Sequence, residues 1–413
     1  MERVRPVIAR FARILGPDPA AVGQTLVALA LSIVATLLAG LTLALAEERL
    51  SELPGLLLLV PAAIAQRGNV FGAMGSRLGT AIHTGTFRIS TRPDTLFGQN
   101  VLAAIGLSWV AATWLAIMAK LLAVSFGVSN SMSVLDFLAV SVVGGMLASL
   151  VVLAITVALA AGSTRYGWDL DNVTAPLVTA VGDLVTLPAL MVGSLIVTEN
   201  WASEILGAVA LSVAIALLAA WFRLAHLKLV LLRRIIAESL PVLAIASTVS
   251  LFAGATIENR LGSFLEQPAL LVLVPTYFGM AGALGGILSS RLSTKLHLGL
   301  IPPAALPSRS AWGDIRSVAV LSVPIFIAVG VGANLGAALL GIAGPGLAAM
   351  VGVAVLAGVG AISVVVLVAY YGTLGAVRFG LDPDTAGIPL TNSVLDLVGA
   401  FTLVAAIVVL GVA

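Results

Sequence analysis

Long unbroken apolar runs, separated by short polar stretches, set the pattern of this chain. A helix needs roughly 20 apolar residues to cross the hydrocarbon core of a bilayer. The runs predict eleven helical spans, near 22–44, 54–80, 99–123, 134–161, 172–198, 203–222, 239–257, 268–289, 315–341, 346–371 and 386–411. Membrane β-strands would read instead as segments of about ten residues with alternating polarity, and the continuity of these runs argues against them. The first run ends in "LALAEE", which has some likeness to a small-residue cleavage site. Its apolar stretch is too long for the core of a signal peptide, so the expectation is an integral span.

Composition sharpens this. Charged residues make up 10% of the 413-residue chain and hydrophobic ones 60%, whereas a soluble domain carries about 25% charged residues. A mean hydropathy of +1.14 leaves too little polar surface for a soluble enzyme, a nucleic-acid binder or a disordered scaffold. The 42 glycines suit close packing of membrane helices. With no cysteine there is no disulfide, thiolate metal site or cysteine nucleophile, and a net charge of +2 gives no reason to expect a nucleic-acid partner.

The positions of the few charges predict orientation. With the N-terminus cytoplasmic, Arg49 and Arg260 fall on outer segments and Arg67 and Lys120 inside spans; the other 17 of the 21 basic residues lie on inner segments. That is the bias expected of cytoplasmic loops. The outer loops carry Glu47, Glu48, Glu52, Glu199, Glu204, Glu258 and Glu266, either as solvated loop ends or as a weak electrostatic funnel for cations.

The chain contains an internal duplication. "PGLLLLVPAAIAQRGNVFGAMGSRLGTAIHTG" (54–85) aligns without gaps to "PALLVLVPTYFGMAGALGGILSSRLSTKLHLG" (268–299), and "DLDNVTAPLVTAVGDLV" (169–185) aligns to "DPDTAGIPLTNSVLDLV" (382–398). Pro61 pairs with Pro275, Gly68 with Gly282, Arg77 with Arg291, and Asp183 with Asp396. The expected organisation is a cytoplasmic segment (1–21), a first five-helix repeat (22–198), a linking membrane helix with a basic loop (199–238) and a second five-helix repeat (239–413). The single extra crossing makes the two odd-span repeats parallel. The predicted fold is therefore all-α and membrane-integral, with a pseudo-twofold axis along the membrane normal and a pathway possible on that axis.

Asp183 and Asp396 each sit mid-span. A carboxylate at that depth costs on the order of 2.5–3.5 kcal/mol on insertion scales, which makes it a functional-site candidate. The axis would bring the two together, and a divalent cation would neutralise both. Residues three, four, seven or eleven positions away share a helix face. Around Asp183 that face holds Asn172, Pro176, Thr179 and Thr186; around Asp396 it holds Thr385, Pro389, Asn392 and Gly399. This oxygen-rich set, without imidazole or thiol, suits Mg²⁺, Ca²⁺ or Mn²⁺. Thr179 and Asn392 read equally as ties between helices. The second span carries Gln66, Arg67, Gly68 and Asn69 where the second copy reads "GMAGA", so an asymmetric pathway is expected. Asn69 either faces the ion or ties helices, and Arg67 is expected off the axis or paired elsewhere. Asp169, Asp171, Asp382 and Asp384 read as acidic helix starts or as an inner vestibule. His83, His226 and His297 read as interfacial.

"NVTAPLVTAVGDLVTLP" resembles the signature helix of MgtE-type magnesium transporters, and "PAAIAQRGNVFGAMGSRLGTAIHTG" resembles a second segment of that superfamily in its tandem-duplicated solute-carrier branch. The resemblance covers both repeats. It implies Mg²⁺ binding at Asp183 and, through the repeat, at Asp396, with Thr179 or Asn392 contributing. Five-span units of the family pair around a central pathway, so the duplicated chain is expected to work as a monomer. The cytosolic Mg²⁺-sensing domain of bacterial relatives is expected to be absent, since about 20 residues precede the first span.

The candidate metal ligands are thus Asp183, Asp396, Thr179, Asn392, Asn69 and Asn172. The expected protein is a multi-pass cell-membrane transporter or channel for a divalent cation, foremost Mg²⁺, with the bilayer as its other partner. No cofactor and no catalytic activity are expected; no phosphate-binding loop is present. The alternative is a Na⁺-coupled exchanger or an organic-solute transporter with a roomier, aromatic-lined pocket.

Overall fold

The structure is a computed structural model describing residues 19–90, 92–166, 170–198, 200–223, 229–297, 299–378 and 388–412. Thirteen α-helices and one short 3₁₀ turn, with no strand, make up the regular structure of these residues. The first half holds α1 (Pro19–Leu45), the short α2 (Glu47–Glu52), α3 (Leu56–His83), α4 (Leu96–Ser125), α5 (Val134–Tyr166) and α6 (Leu170–Ser194). Helix α7 (Asn200–Arg223) follows. The second half repeats the series as α8 (Val230–Glu258), the short α9 (Leu261–Glu266), α10 (Ala269–His297), α11 (Arg309–Leu339), α12 (Leu347–Arg378) and α13 (Ile388–Val409). Eleven of these are long and apolar enough to cross a membrane, in the places the apolar runs predict.

Local signals fix the helix starts in matched fashion. Thr95 Oγ1 accepts from the Gly98 amide at 3.1 Å ahead of α4. Ser308 Oγ accepts from the Ala311 amide at 3.3 Å ahead of the corresponding α11. Both satisfy a helix-end donor that has no partner within the helix. Ser133 and Asp136 cap α5 reciprocally, at 3.0 and 3.1 Å.

The main departure from the predicted spans is α8, which starts at Val230 rather than near 239. Arg233, Arg234 and Glu238 are exposed there and break the apolar run, but Leu232, Ile235 and Ser239 keep a buried face. An Arg234–Glu238 pair at 2.7 Å spans one turn of the opposite, exposed side. A hydropathy run ends where charges appear, whereas the helix continues into water.

The first helix of each half crosses to the other half. Helix α1 packs on α10 and α6, and α8 packs on α3, α4 and α13. Glycines permit the close crossing. A Cβ on Gly40 would collide with the Val272 carbonyl oxygen, and one on Gly254 with the Leu58 carbonyl oxygen. These are matched pairs of the repeat, 214 residues apart in both helices. Helix α7 lies at the periphery against α5 and α4, with only 17% of its apolar window buried.

The loops after α1, α4, α8 and α11 share one face: the Met132 amide donates to Pro54 O at 3.2 Å and the Ala269 amide to Ala343 O at 3.0 Å. Lys120, inside α4, reaches this face and donates to Ser131 Oγ and Met132 O, both at 2.9 Å. Its charge is thereby brought to the loop carbonyls.

Candidate cation site

Asp183 on α6 and Asp396 on α13 are both buried, at 3% and 9% exposure. They come from different halves of the chain, yet lie within electrostatic range of each other. Their surroundings differ. Asp396 Oδ2 accepts a 2.7 Å hydrogen bond from Ser250 Oγ on α8. Asp183 Oδ2 has no hydrogen-bond partner among the described residues. It faces Gly279 of α10, where a Cβ would lie 3.5 Å from that oxygen and 2.6 Å from Thr36 Cγ2 on α1. Thr36 and Ser250 are 214 apart, so the crossing first helix of each half sets a hydroxyl residue near an aspartate. Thr36 Oγ1 donates to Ser32 O at 2.8 Å.

The helices α3 and α10 are the most enclosed, with 67% and 72% of their apolar windows buried. From Gly55 to Ala63, and from Ala269 to Phe278, every residue is buried. Beyond that level one stripe opens on each. On α3 it runs through Ala65, Gly68, Asn69, Gly72, Ala73 and Ser76; on α10 through Gly279, Gly282, Ala283, Gly286, Ile287 and Ser290. The two stripes match position by position. A Cβ on Gly72, Gly282 or Gly286 would meet nothing within 4 Å. Asp183 Oδ2, against Gly279, thus sits where the sealed length meets the open stripe. Pro61 and Pro275 do not break their helices; the glycines of the second span clear space instead.

Of the other predicted ligands, Thr179 is exposed and lies 3.9 Å from a Cβ built on Gly68. Asn69 is half-buried on the open stripe of α3. Asn392 is half-buried one turn before Asp396, and its Oδ1 has no partner among the described residues. The Asn172 side chain lies outside the described residues, as do the side chains of Asp169, Asp171, Asp382, Asp384, His83, His226 and His297. Among the described residues no three His, Cys, Asp or Glu side chains cluster. A divalent ion here would therefore meet two carboxylates, with neutral oxygens and water for the rest, a donor set that fits Mg²⁺ keeping part of its hydration shell.

Arg67 extends from α3 between α6 and α5. Its side chain is fully buried; its stem packs on Gly182 of α6 and its guanidinium reaches Gly145 of α5. One hydrogen bond, Nη1 to Ser149 Oγ at 3.1 Å, holds it. Sequence reasoning did not single out Ser250, Thr36 or Gly279. Extending the 214-residue offset back into the first helices would have paired Thr36 with Ser250.

A polytopic helical protein with paired carboxylates buried between its halves is the architecture of an ion transporter. Residues 60–193 and 274–406 each match MgtE, a divalent cation transporter family, and the chain belongs to that family. It is a multi-pass membrane protein. It is 28% identical to human (Homo sapiens) Solute carrier family 41 member 2 over 291 residues, covering 68% of this chain and 49% of the relative. It is 25% identical to mouse (Mus musculus) Solute carrier family 41 member 3 over 253 residues, 61% of this chain and 51% of the relative. The aligned region spans about half the length of these relatives. No solved structure gives a significant match.

Proposed function

We propose that this chain moves Mg²⁺ across the membrane along a central pathway that passes between Asp183 and Asp396. The observation that carries this is that two repeat-related carboxylates from opposite halves are both buried within electrostatic range of each other, one of them with an oxygen that has no hydrogen-bond partner among the described residues. Two carboxylates in a dry site repel, and a divalent cation removes the repulsion. Thr179, Asn392 and Asn69 add neutral oxygens along the same path, and Asn172 is assigned with them from its place in the sequence. The matched stripes on α3 and α10 support a route from the site to one face only, the basic one, which we read as cytoplasmic. The two matches to one family support parallel repeats about an axis through the site, each repeat replacing a subunit, so that a monomer suffices. No nucleotide or other cofactor enters this reading: the membrane potential alone drives influx of a divalent cation.

The test is flux into proteoliposomes. Mg²⁺ is compared with Ca²⁺, Mn²⁺ and an organic solute, with and without a Na⁺ gradient. The proposal expects Mg²⁺ flux without Na⁺, lost in the D183A/D396A variant that still purifies as a folded protein. Full transport by that variant would overturn it. Flux that requires Na⁺ would replace the passive pathway with an exchanger.

A further inference from the structure

The two halves fill one equivalent interior space in opposite ways. In the first half the space beside α5 at Gly145 is taken by the Arg67 guanidinium: a Cβ on Gly145 would lie 2.9 Å from Nη2 and 3.4 Å from Ala112 Cβ. In the second half the corresponding Gly358 is covered by the ring of Phe326. By the repeat offsets, Phe326 is the counterpart of Ala112, and Ala281 is the counterpart of Arg67. Leu395, the counterpart of Gly182, fills the adjoining space against Gly285. An Arg with two small neighbours therefore replaces an Ala with a Phe and a Leu. Packing alone is met by the second set, so packing does not require a charge in the first.

The charge itself is poorly compensated where it lies. Arg67 is fully buried, its Nε and Nη2 have no hydrogen-bond partner among the described residues, and no described carboxylate pairs with it. An unpaired guanidinium inside a membrane bundle is expensive and marks function by default. Its stem touches Gly182, the residue before Asp183. The positive charge thus lies between α6 and α5, with its stem against the residue that precedes Asp183. In a low-dielectric interior, charges separated by about one helix diameter still interact appreciably.

We propose that Arg67 is a fixed internal counter-charge that offsets the negative charge of the empty Asp183–Asp396 pair and weakens the hold of the pair on a divalent cation, so that the ion is released quickly. This rests on the reading of the aspartate pair as the transport site. A group that acts this way raises KM and the maximal rate together, because it repels the bound ion and lowers the barrier to its departure.

The second half supplies a variant that keeps the packing. R67A/A112F rebuilds the arrangement of Ala281 and Phe326 without the charge, and R67M keeps the length of the side chain without the charge. Mg²⁺ flux into proteoliposomes is measured against Mg²⁺ concentration for wild type, R67K, R67M, R67A/A112F and D183A/D396A. The expected result is a fall of at least threefold in both KM and maximal rate for R67M and R67A/A112F, with R67K close to wild type. If either neutral variant folds and keeps the wild-type KM, or binds Mg²⁺ more weakly, the counter-charge is overturned. If both misfold while R67K does not, the charge is structural and the proposal also fails. Loss of flux in D183A/D396A reports on the transport site separately, so the two readings fail independently.

Discussion

Ser250 donates a 2.7 Å hydrogen bond to Asp396 across 146 residues of sequence, whereas the Thr36 hydroxyl, its counterpart, donates to its own helix at Ser32 O. One carboxylate of the pair is thus held by a neutral donor and the other, Asp183, presents an oxygen with no donor among the described residues. The two aspartates are equivalent in sequence and unequal in structure.

Removing the Ser250 hydroxyl should therefore affect one side only. A hydrogen bond to a charged group contributes about 1.5–3 kcal/mol, and part of that holds the Asp396 carboxylate in place. S250A is expected to raise KM for Mg²⁺ about tenfold, with S250T restoring it, as read from flux against concentration. An unchanged KM in S250A would show that the bond is not used in transport.

The aspartates themselves should differ in the same sense. D183N removes the carboxylate with an oxygen that meets no donor among the described residues; D396N removes one already engaged by Ser250. Flux is expected to fall at least a hundredfold in D183N and at least tenfold in D396N, with both variants eluting as folded protein on size exclusion. Equal, small losses would mean that neither carboxylate carries the ion.

The open stripe makes a prediction about access. The chain has no cysteine, so single cysteines report without background. N69C and A283C are expected to react with a charged, membrane-impermeant thiol reagent applied from the basic face, and Mg²⁺ should slow the reaction. L59C, in the sealed length of α3, should not react. Labelling of L59C at the same rate would remove the argument for a route open from one face.

Crossing of the first helices depends on Gly40 and Gly254, where a Cβ would meet backbone oxygens rather than a flexible side chain. G254A is expected to destabilise by about 1–3 kcal/mol, measured as a lower unfolding temperature in detergent. G72A, where a Cβ meets nothing within 4 Å, should unfold at or above the wild-type temperature, since Ala favours a helix interior over Gly.

Glu258 ties the same crossing at its end. Its Oε1 accepts from the Gly55 amide at 2.7 Å, so the last residue of α8 caps the start of α3. E258A removes an acceptor from a buried helix N-terminus and is expected to cost about 1–2 kcal/mol, measured by the same unfolding experiment. The counterpart position in the first half is Ala44, which carries no carboxylate, so this tie belongs to the second half's crossing helix.

The sequence by itself determined the eleven spans, the duplication and the two aspartates. Each follows from a local property: run length against bilayer thickness, an alignment with a constant offset, and a charge at a depth where charges are costly. The residues that surround the aspartates were not legible in this way. Lipid and protein interior are equally apolar, so the hydropathy of a membrane helix gives its length but not which neighbour it meets. Only the tertiary structure decided that α1 and α8 cross between the halves and bring Thr36 and Ser250 near the pair. The same holds for the stripes on α3 and α10 and for the space taken by Arg67 in one half and by Phe326 in the other. Those outcomes rest on shape, on where a glycine lets two backbones approach and where a large side chain fills the gap, and shape is settled only when all the helices are packed together.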